Sequence, residues 1–176
     1  RPHCTAMSAL REHVKWPRQP CLTQSEFAPA QPKSWPGVQA ERLLRAGAVG
    51  TPWLVKLDWL MSSRADASRG WNWYSQASEG GGVIGALGTH AMDILAWLIG
   101  PLSGVQALNA TSILERPLGD GGMAAVDSED VSLIQARLQW QGRADSTVPA
   151  QINLASVARN GRGCLSLIHI SEPTRQ

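Results

Sequence analysis

His90 and Asp93 are the residues whose types and spacing most plainly could do chemistry. Three positions apart, they share one face of any helix that holds them, at about 100° per residue, together with Ala86 and Trp97. A neutral imidazole on such a face can accept a hydroxyl proton. The same two residue types also make a hydrogen-bonded structural pair, and the spacing leaves both readings open. No third ligand is set beside them by sequence, so no metal site is expected. Cys4, Cys21 and Cys164 are odd in number and widely spaced, which builds neither a disulfide framework nor a CxxC metal site. Gly80, Gly82 and Gly85 satisfy GxGxxG ahead of a helix. A dinucleotide fingerprint, however, needs an apolar strand upstream and an acidic residue about twenty positions on. Here Ser75 to Glu79 is polar, Gly100 stands at the acidic position, and beyond Asp93 the next carboxylate is Glu115. The glycines instead let the helix start lie against another backbone or a bound ligand. Gly85 and Gly88, inside the helical pattern, each cost about 1 kcal/mol relative to Ala, which close approach must offset.

The elements that would hold these residues begin at Val38. Val38, Ala40, Leu43 and Leu44 suit a short amphipathic helix, with Glu41 four residues before Arg45 and Gly47 placed for a left-handed cap. Trp53, Val55, Leu57, Trp59 and Met61 repeat at period two, which predicts a strand with one well-buried face. Residues 62–79 are polar and aperiodic, and read as a long loop of the kind that often carries function. From Gly80 to Gly100, the residues Ile84, Leu87, Ala91, Ile94, Leu95 and Leu98 fall on one helical face, and Gly100-Pro101 closes the segment. Val105 to Ile113, Val131 to Trp140 and Ile152 to Ala158 read as strands joined by loops, which argues for an antiparallel sheet. The expected class is α+β: an open, mainly antiparallel sheet with helices on one face.

Length and composition set the frame around this. The 176 residues, 43% apolar and 17% charged, suit one domain or one domain plus part of another. A net charge of +2 without like-charge blocks gives no footprint for nucleic acid or an anionic membrane. Continuous apolar runs fall well short of the ~20 residues that span a bilayer, and no secretory signal pattern opens the chain. The expectation is a cytoplasmic protein. Eight Trp against one Tyr and one Phe is a skew that high-GC coding explains as readily as function.

Trp71-Asn72-Trp73, Gly80-Gly81-Gly82, Gly88-Thr89-His90 with Asp93, and Trp97-Leu98-Ile99-Gly100 together resemble the C-terminal domain of the Gfo/Idh/MocA oxidoreductases, the glucose-fructose oxidoreductase and inositol dehydrogenase relatives. Gly47 to Pro52 resembles the family's helix-to-strand turn, and the likeness covers about residues 38 to 160. The resemblance implies an enzyme of two parts: a Rossmann domain holding NAD or NADP, and an open-sheet domain shaping the pocket for a sugar or cyclitol. It makes His90 the catalytic histidine, taking the hydroxyl proton while hydride leaves the same carbon. Trp71 and Asn72, from their place before the glycine run, and Asp93 beside the histidine are the substrate-binding candidates. Many relatives carry an Asp four residues before the histidine, where this chain has Ala86. Cofactor-binding residues are not assigned.

Outside that span the sequence departs from the family. Relatives end the Rossmann domain with a Glu-Lys-Pro motif, but the matching positions here read Pro17-Arg18-Gln19. Residues 16 to 37 carry Pro17, Pro20, Pro29, Pro32 and Pro36, a density that reads as a linker or a shifted reading frame. Leu165 to Arg175, LSLIHISEPTR, matches in full the translation of a transposase adapter used in sequencing libraries. The expected organisation is therefore 1–37 as the damaged end of a dinucleotide-binding domain or linker, 38–164 as an incomplete substrate and oligomerisation domain, and 165–176 as a non-native tail. Such a fragment is expected not to turn over alone. The alternative to the oxidoreductase is a binding or assembly module, its sheet face of Trp53, Val55, Leu57 and Trp59 forming a homo-oligomer interface or packing under the helix of its own subunit.

Overall fold

The computed structural model describes residues 36–48, 50–141, 146–161 and 163–170. Expectations for residues 1–35, Cys4 and Cys21 included, and for 171–176 lie outside them. Helix α1 spans Pro36–Arg45. Glu41 pairs with Arg45 one turn on. At its end Gly47 takes φ +67° while its N–H bonds Leu44 O at 3.1 Å and Ala48 N–H bonds Leu43 O at 3.0 Å. That bonding closes the helix as a Schellman cap.

Five strands form the main sheet: β1 Pro52–Leu60, β2 Leu102–Ala110, β5 Val131–Gln139, β6 Thr147–Ala155 and β7 Gly163–Ile170. Between β2 and β5 the chain makes a separate hairpin of β3 Glu115–Pro117 and β4 Met123–Ala125. The main sheet runs β2-β5-β6-β1-β7. Its pairs are antiparallel except β1 with β6, which run parallel from Val55↔Ala150 to Leu60↔Ala155. The parallel pair exists because β6 reaches β1 only after the chain has crossed the sheet through its long helix. The sheet is thus open and mainly antiparallel, and the α+β expectation stands.

One face of the sheet carries the core. Val55 and Leu57 of β1, Ile134, Ala136 and Leu138 of β5, and Val148, Ala150, Ile152 and Leu154 of β6 are all buried. The second helix, α2 (Thr89–Leu98), lies against them through Ala91 and Leu95, extended by Val83 and Ile99 at its flanks. Leu44 brings α1 into the same cluster. Each large side chain so buried stabilises the fold by about 1.5–3 kcal/mol.

Val55 and Leu57 pack beneath the helix of their own chain, which is one of the two arrangements expected of that face; among the described residues the opposite face is the open one, exposing Leu54, Leu108 and Leu133. Two expectations change here. Trp53 leaves the period-two series and is 67% exposed, because the pairing slips between Pro52 and Leu54. The helical run Ala77–Leu98, 22 residues, is long and apolar enough to cross a bilayer by length and composition. Counting unbroken apolar residues overlooked it because glycine, threonine and histidine interrupt the run. Much of its apolar content lies on the sheet side, at Val83, Ala91 and Leu95.

Residues 165–170, expected to be non-native, continue β7 and pair with β1 up to Pro52↔Ile170. An open sheet edge offers backbone bonds to any strand-forming sequence, so the pairing carries no information about their origin.

Candidate active site

His90 stands in the first turn of α2 and is exposed. Its ring lies 6.4 Å from that of Trp59, tilted by 43°, near the C-terminal end of β1. Asp93 is exposed one turn further on. Among the described residues the two form neither a hydrogen bond nor an ion pair with each other. The structural-pair reading of His90 and Asp93 is therefore not what the geometry holds.

The start of this helix is anchored by protein. A Cβ added at Gly82 would overlap the Glu129 carboxylate, and one added at Gly85 would overlap the Gly80 carbonyl. Protein thus takes the space beside these glycines: the side chain and backbone of Glu129 at Gly82, and the backbone of Gly80 at Gly85. Gly82 also needs φ +85°. From there Val83 N–H bonds Glu129 O at 2.9 Å and Ile84 N–H bonds the Glu129 carboxylate at 2.8 Å. A carboxylate on otherwise orphaned first-turn N–H groups also suits the positive end of the helix dipole. Ile84–Gly88 then form a π turn before α2 begins, so Ala86 is not in α register with His90 and Asp93 as the sequence reading had it.

Glu129 belongs to a four-residue segment that ties down two loops and the helix start. Asp127 Oδ1 accepts from Ala77 N at 2.8 Å, and Ser128 Oγ donates to Tyr74 O at 2.7 Å. The Asp130 carboxylate accepts from Ser112 N and Oγ and from Ile113 N, all within 3.0 Å. Sequence analysis passed over this segment as a polar connection. The signal was there: Asp127, Ser128 and Asp130, three capping-type side chains around a glutamate, directly before a strand.

The loop of residues 62–79 contains two single 3-10 turns, Trp73–Ser75 and Ala77–Glu79, and is held from inside by two arginines. Arg116, 3% exposed, donates to Arg64 O at 2.7 Å and Asp66 O at 2.8 Å. Arg64 lies over the Tyr74 ring at 4.2 Å and donates to Asn72 Oδ1 at 3.2 Å. Burial pushes the Tyr74 phenol above its usual range, against the opposing pull of Ser156 and Arg64. Asn72 Oδ1 also accepts from Tyr74 N at 3.1 Å, capping the first 3-10 turn. Trp71 donates from Nε1 to Ala125 O at 2.9 Å, which joins it to the β3–β4 hairpin. Trp71 and Asn72 thus sit together on one braced loop, with Trp71 Nε1 and Asn72 Oδ1 bonded to protein, while His90 and Asp93 sit on α2.

No group of three His, Cys, Asp or Glu side chains gathers among the described residues. Protein fills the space beside Gly82 and Gly85, so the GxGxxG spacing of Gly80, Gly82 and Gly85 does not leave a phosphate-sized gap at those two positions.

The sequence profile of the GFO/IDH/MocA C-terminal domain matches residues 38–161. The chain is 44% identical over 123 residues to an uncharacterized oxidoreductase of Synechocystis sp., covering 69% of this chain and 32% of that protein. It is 34% identical over 88 residues to levoglucosan dehydrogenase of Pseudarthrobacter phenanthrenivorans, covering 49% of this chain and 23% of the relative. Among solved structures, levoglucosan dehydrogenase in complex with NADH and L-sorbose superposes with TM-score 0.69 at 27% identity, over 77% of this chain and 36% of the other. The chain therefore spans about a third or less of the length of these relatives. A match to the family's profile over residues 38–161, well over half of the chain, makes the chain a member of the GFO/IDH/MocA oxidoreductase family, in its C-terminal domain.

Proposed function

We propose that this chain is the substrate-side part of an NAD(P)-dependent oxidoreductase acting on a sugar or cyclitol, and that His90 is its proton acceptor. The observation that carries the reading is the exposed imidazole on α2, in a family whose relatives include a levoglucosan dehydrogenase solved with NADH and with sugars. A nicotinamide held by residues outside those described would exchange hydride with the reacting carbon. The part assigned to this chain is the proton. His90, on a rod anchored at its start by Glu129 and along its length by the sheet, takes it from the hydroxyl in oxidation and returns it in reduction. Trp71 and Asn72 shape the substrate side through a loop whose own hydrogen bonds hold it in place, and Asp93 reaches the substrate from the helix. In keeping with this reading, residues 1–37 are the end of the cofactor domain, 165–176 are foreign to it, and the enzyme works in the cytoplasm.

The intact parent carrying His90→Ala tests the assignment. Loss of a positioned general base removes about 10²–10⁴ of the rate. NAD(P)H binding should stay as it was. Near-normal turnover would reject the role of His90.

A second reading follows from the open sheet face, where Leu54, Leu108 and Leu133 are 39%, 69% and 47% exposed. In that reading the face joins copies of the chain and the domain does no chemistry. Titration of the parent with NAD(P)H separates the readings: a pure assembly module gives no change in nucleotide fluorescence.

A further inference from the structure

We propose that Thr89 is a positioning residue: its hydroxyl locks the π turn at Ile84–Gly88, and that turn sets the direction in which His90 points. The kinetic half of this inference rests on the proposed role of His90; the conformational half does not.

The argument starts from two anchors. At one end, Val83 and Ile84 are fixed to Glu129 by their N–H groups, and Val83 is fully buried. At the other, Ala91 and Leu95 are fully buried against the sheet. In an unbroken α-helix at about 100° per residue, Val83 and Ala91 would point about 80° apart. A π turn absorbs one extra residue, which brings the pair to within about 20° of each other. Both side chains reach the core because the extra residue is stored between them.

Storing it rearranges the backbone bonds. The Thr89 N–H bonds Ile84 O, five residues back. An α register would have given it Gly85 O instead. Thr89 Oγ1 donates to that same Gly85 O at 3.2 Å. The side chain thus supplies the bond that the backbone has withdrawn, and a carbonyl in a part-buried setting is not left orphaned. Gly85 and Gly88, at the second position and the end of the turn, let it close against the Gly80 carbonyl and against Leu154. His90 is the next residue after Thr89. Loss of the lock leaves the Gly85 carbonyl short of that donor and loosens the turn between its two anchors, so the imidazole one residue beyond it loses its fixed direction.

Thr89→Val keeps the shape and removes the donor; Thr89→Ser keeps the donor. Amide hydrogen exchange on the 176-residue chain reads the lock directly. Thr89→Val should speed exchange at residues 86–90 about tenfold, and Thr89→Ser should not. In the intact parent, Thr89→Val should lower kcat about tenfold with KM for the sugar within about twofold, and Thr89→Ser should stay within about threefold of wild type in kcat. Unchanged exchange in Thr89→Val, or a Ser variant as poor as Val, overturns the lock. Faster exchange with undiminished kcat, in a protein that His90→Ala inactivates, overturns the aiming role. If His90→Ala itself leaves turnover intact, the proposed function and with it the aiming role fail, and the exchange result alone decides the lock.

Discussion

Arg116→Met asks how much of the candidate substrate loop rests on one buried cation. Arg116 is 3% exposed and its guanidinium serves backbone carbonyls rather than a carboxylate, at 2.7 Å to Arg64 and 2.8 Å to Asp66, with a longer bond to Arg69 at 3.4 Å. Hydrogen bonds from a charged donor contribute about 1.5–3 kcal/mol each, so the two short ones represent about 3–6 kcal/mol. Methionine fills the volume of the stem and spares the protein the burial of a charge, which brings the expected net loss to about 2–4 kcal/mol. With a urea slope of about 1–3 kcal/mol per molar, the unfolding midpoint should fall by about 1–2 M. Arg137→Gln, on an exposed position of β5, is the control and should stay within about 0.5 kcal/mol of wild type. Amide exchange should quicken across residues 64–72 in the Met variant and stay the same in β5. A midpoint shift no larger than that of the control would refute the claim that Arg116 braces the loop carrying Trp71 and Asn72.

Three other outcomes follow from the same geometry. Gly85→Ala drives a methyl into the Gly80 carbonyl, so urea unfolding should show a loss of about 2 kcal/mol or more, against a gain of up to about 1 kcal/mol if the site were an ordinary helix position. Asp58 feels burial raising its pKa, but the Asn153 amide and the Lys56 ammonium outweigh this and hold it below the usual range. Its contribution to stability is therefore whole above the unfolded aspartate value of about 3.9 and is lost as pH falls through the lower folded value; Asp58→Asn should flatten that limb of the stability curve. Tyr74 runs the opposite way, since burial raises its phenol. Its share is present below the unfolded value of about 10 and lost as pH rises through the folded one, and Tyr74→Phe should remove that alkaline dependence.

What was legible in the sequence is what local periodicity and turn chemistry control. Helix α1 with its Gly47 cap, the buried alternation of Val55 and Leu57, and the apolar stripe of α2 follow from side-chain spacing alone. The segment Gly88-Thr89-His90 with Asp93 stood out through its resemblance to the family, since spacing alone left its role open. The parallel pairing of β1 with β6 was not, because strand partners are chosen by the chain's path over nearly a hundred residues. The β3–β4 hairpin escaped notice because three-residue strands show no measurable alternation. The π turn was invisible in principle: a straight helix was assumed from Ile84 onward, and only the simultaneous burial of Val83 and Ala91 reveals the extra residue. Asp127 to Asp130 and Arg116 serve distant backbone, so their partners become visible only once the fold has brought those loops to them.

A structure of the intact parent with NAD(P)H and a sugar bound tests the central claim most directly. The account predicts a ring nitrogen of His90 about 2.6–3.2 Å from the hydroxyl whose carbon faces the nicotinamide, with Ile84–Gly88 still in the π turn. An imidazole turned away from the sugar, with another side chain holding that hydroxyl, would contradict it.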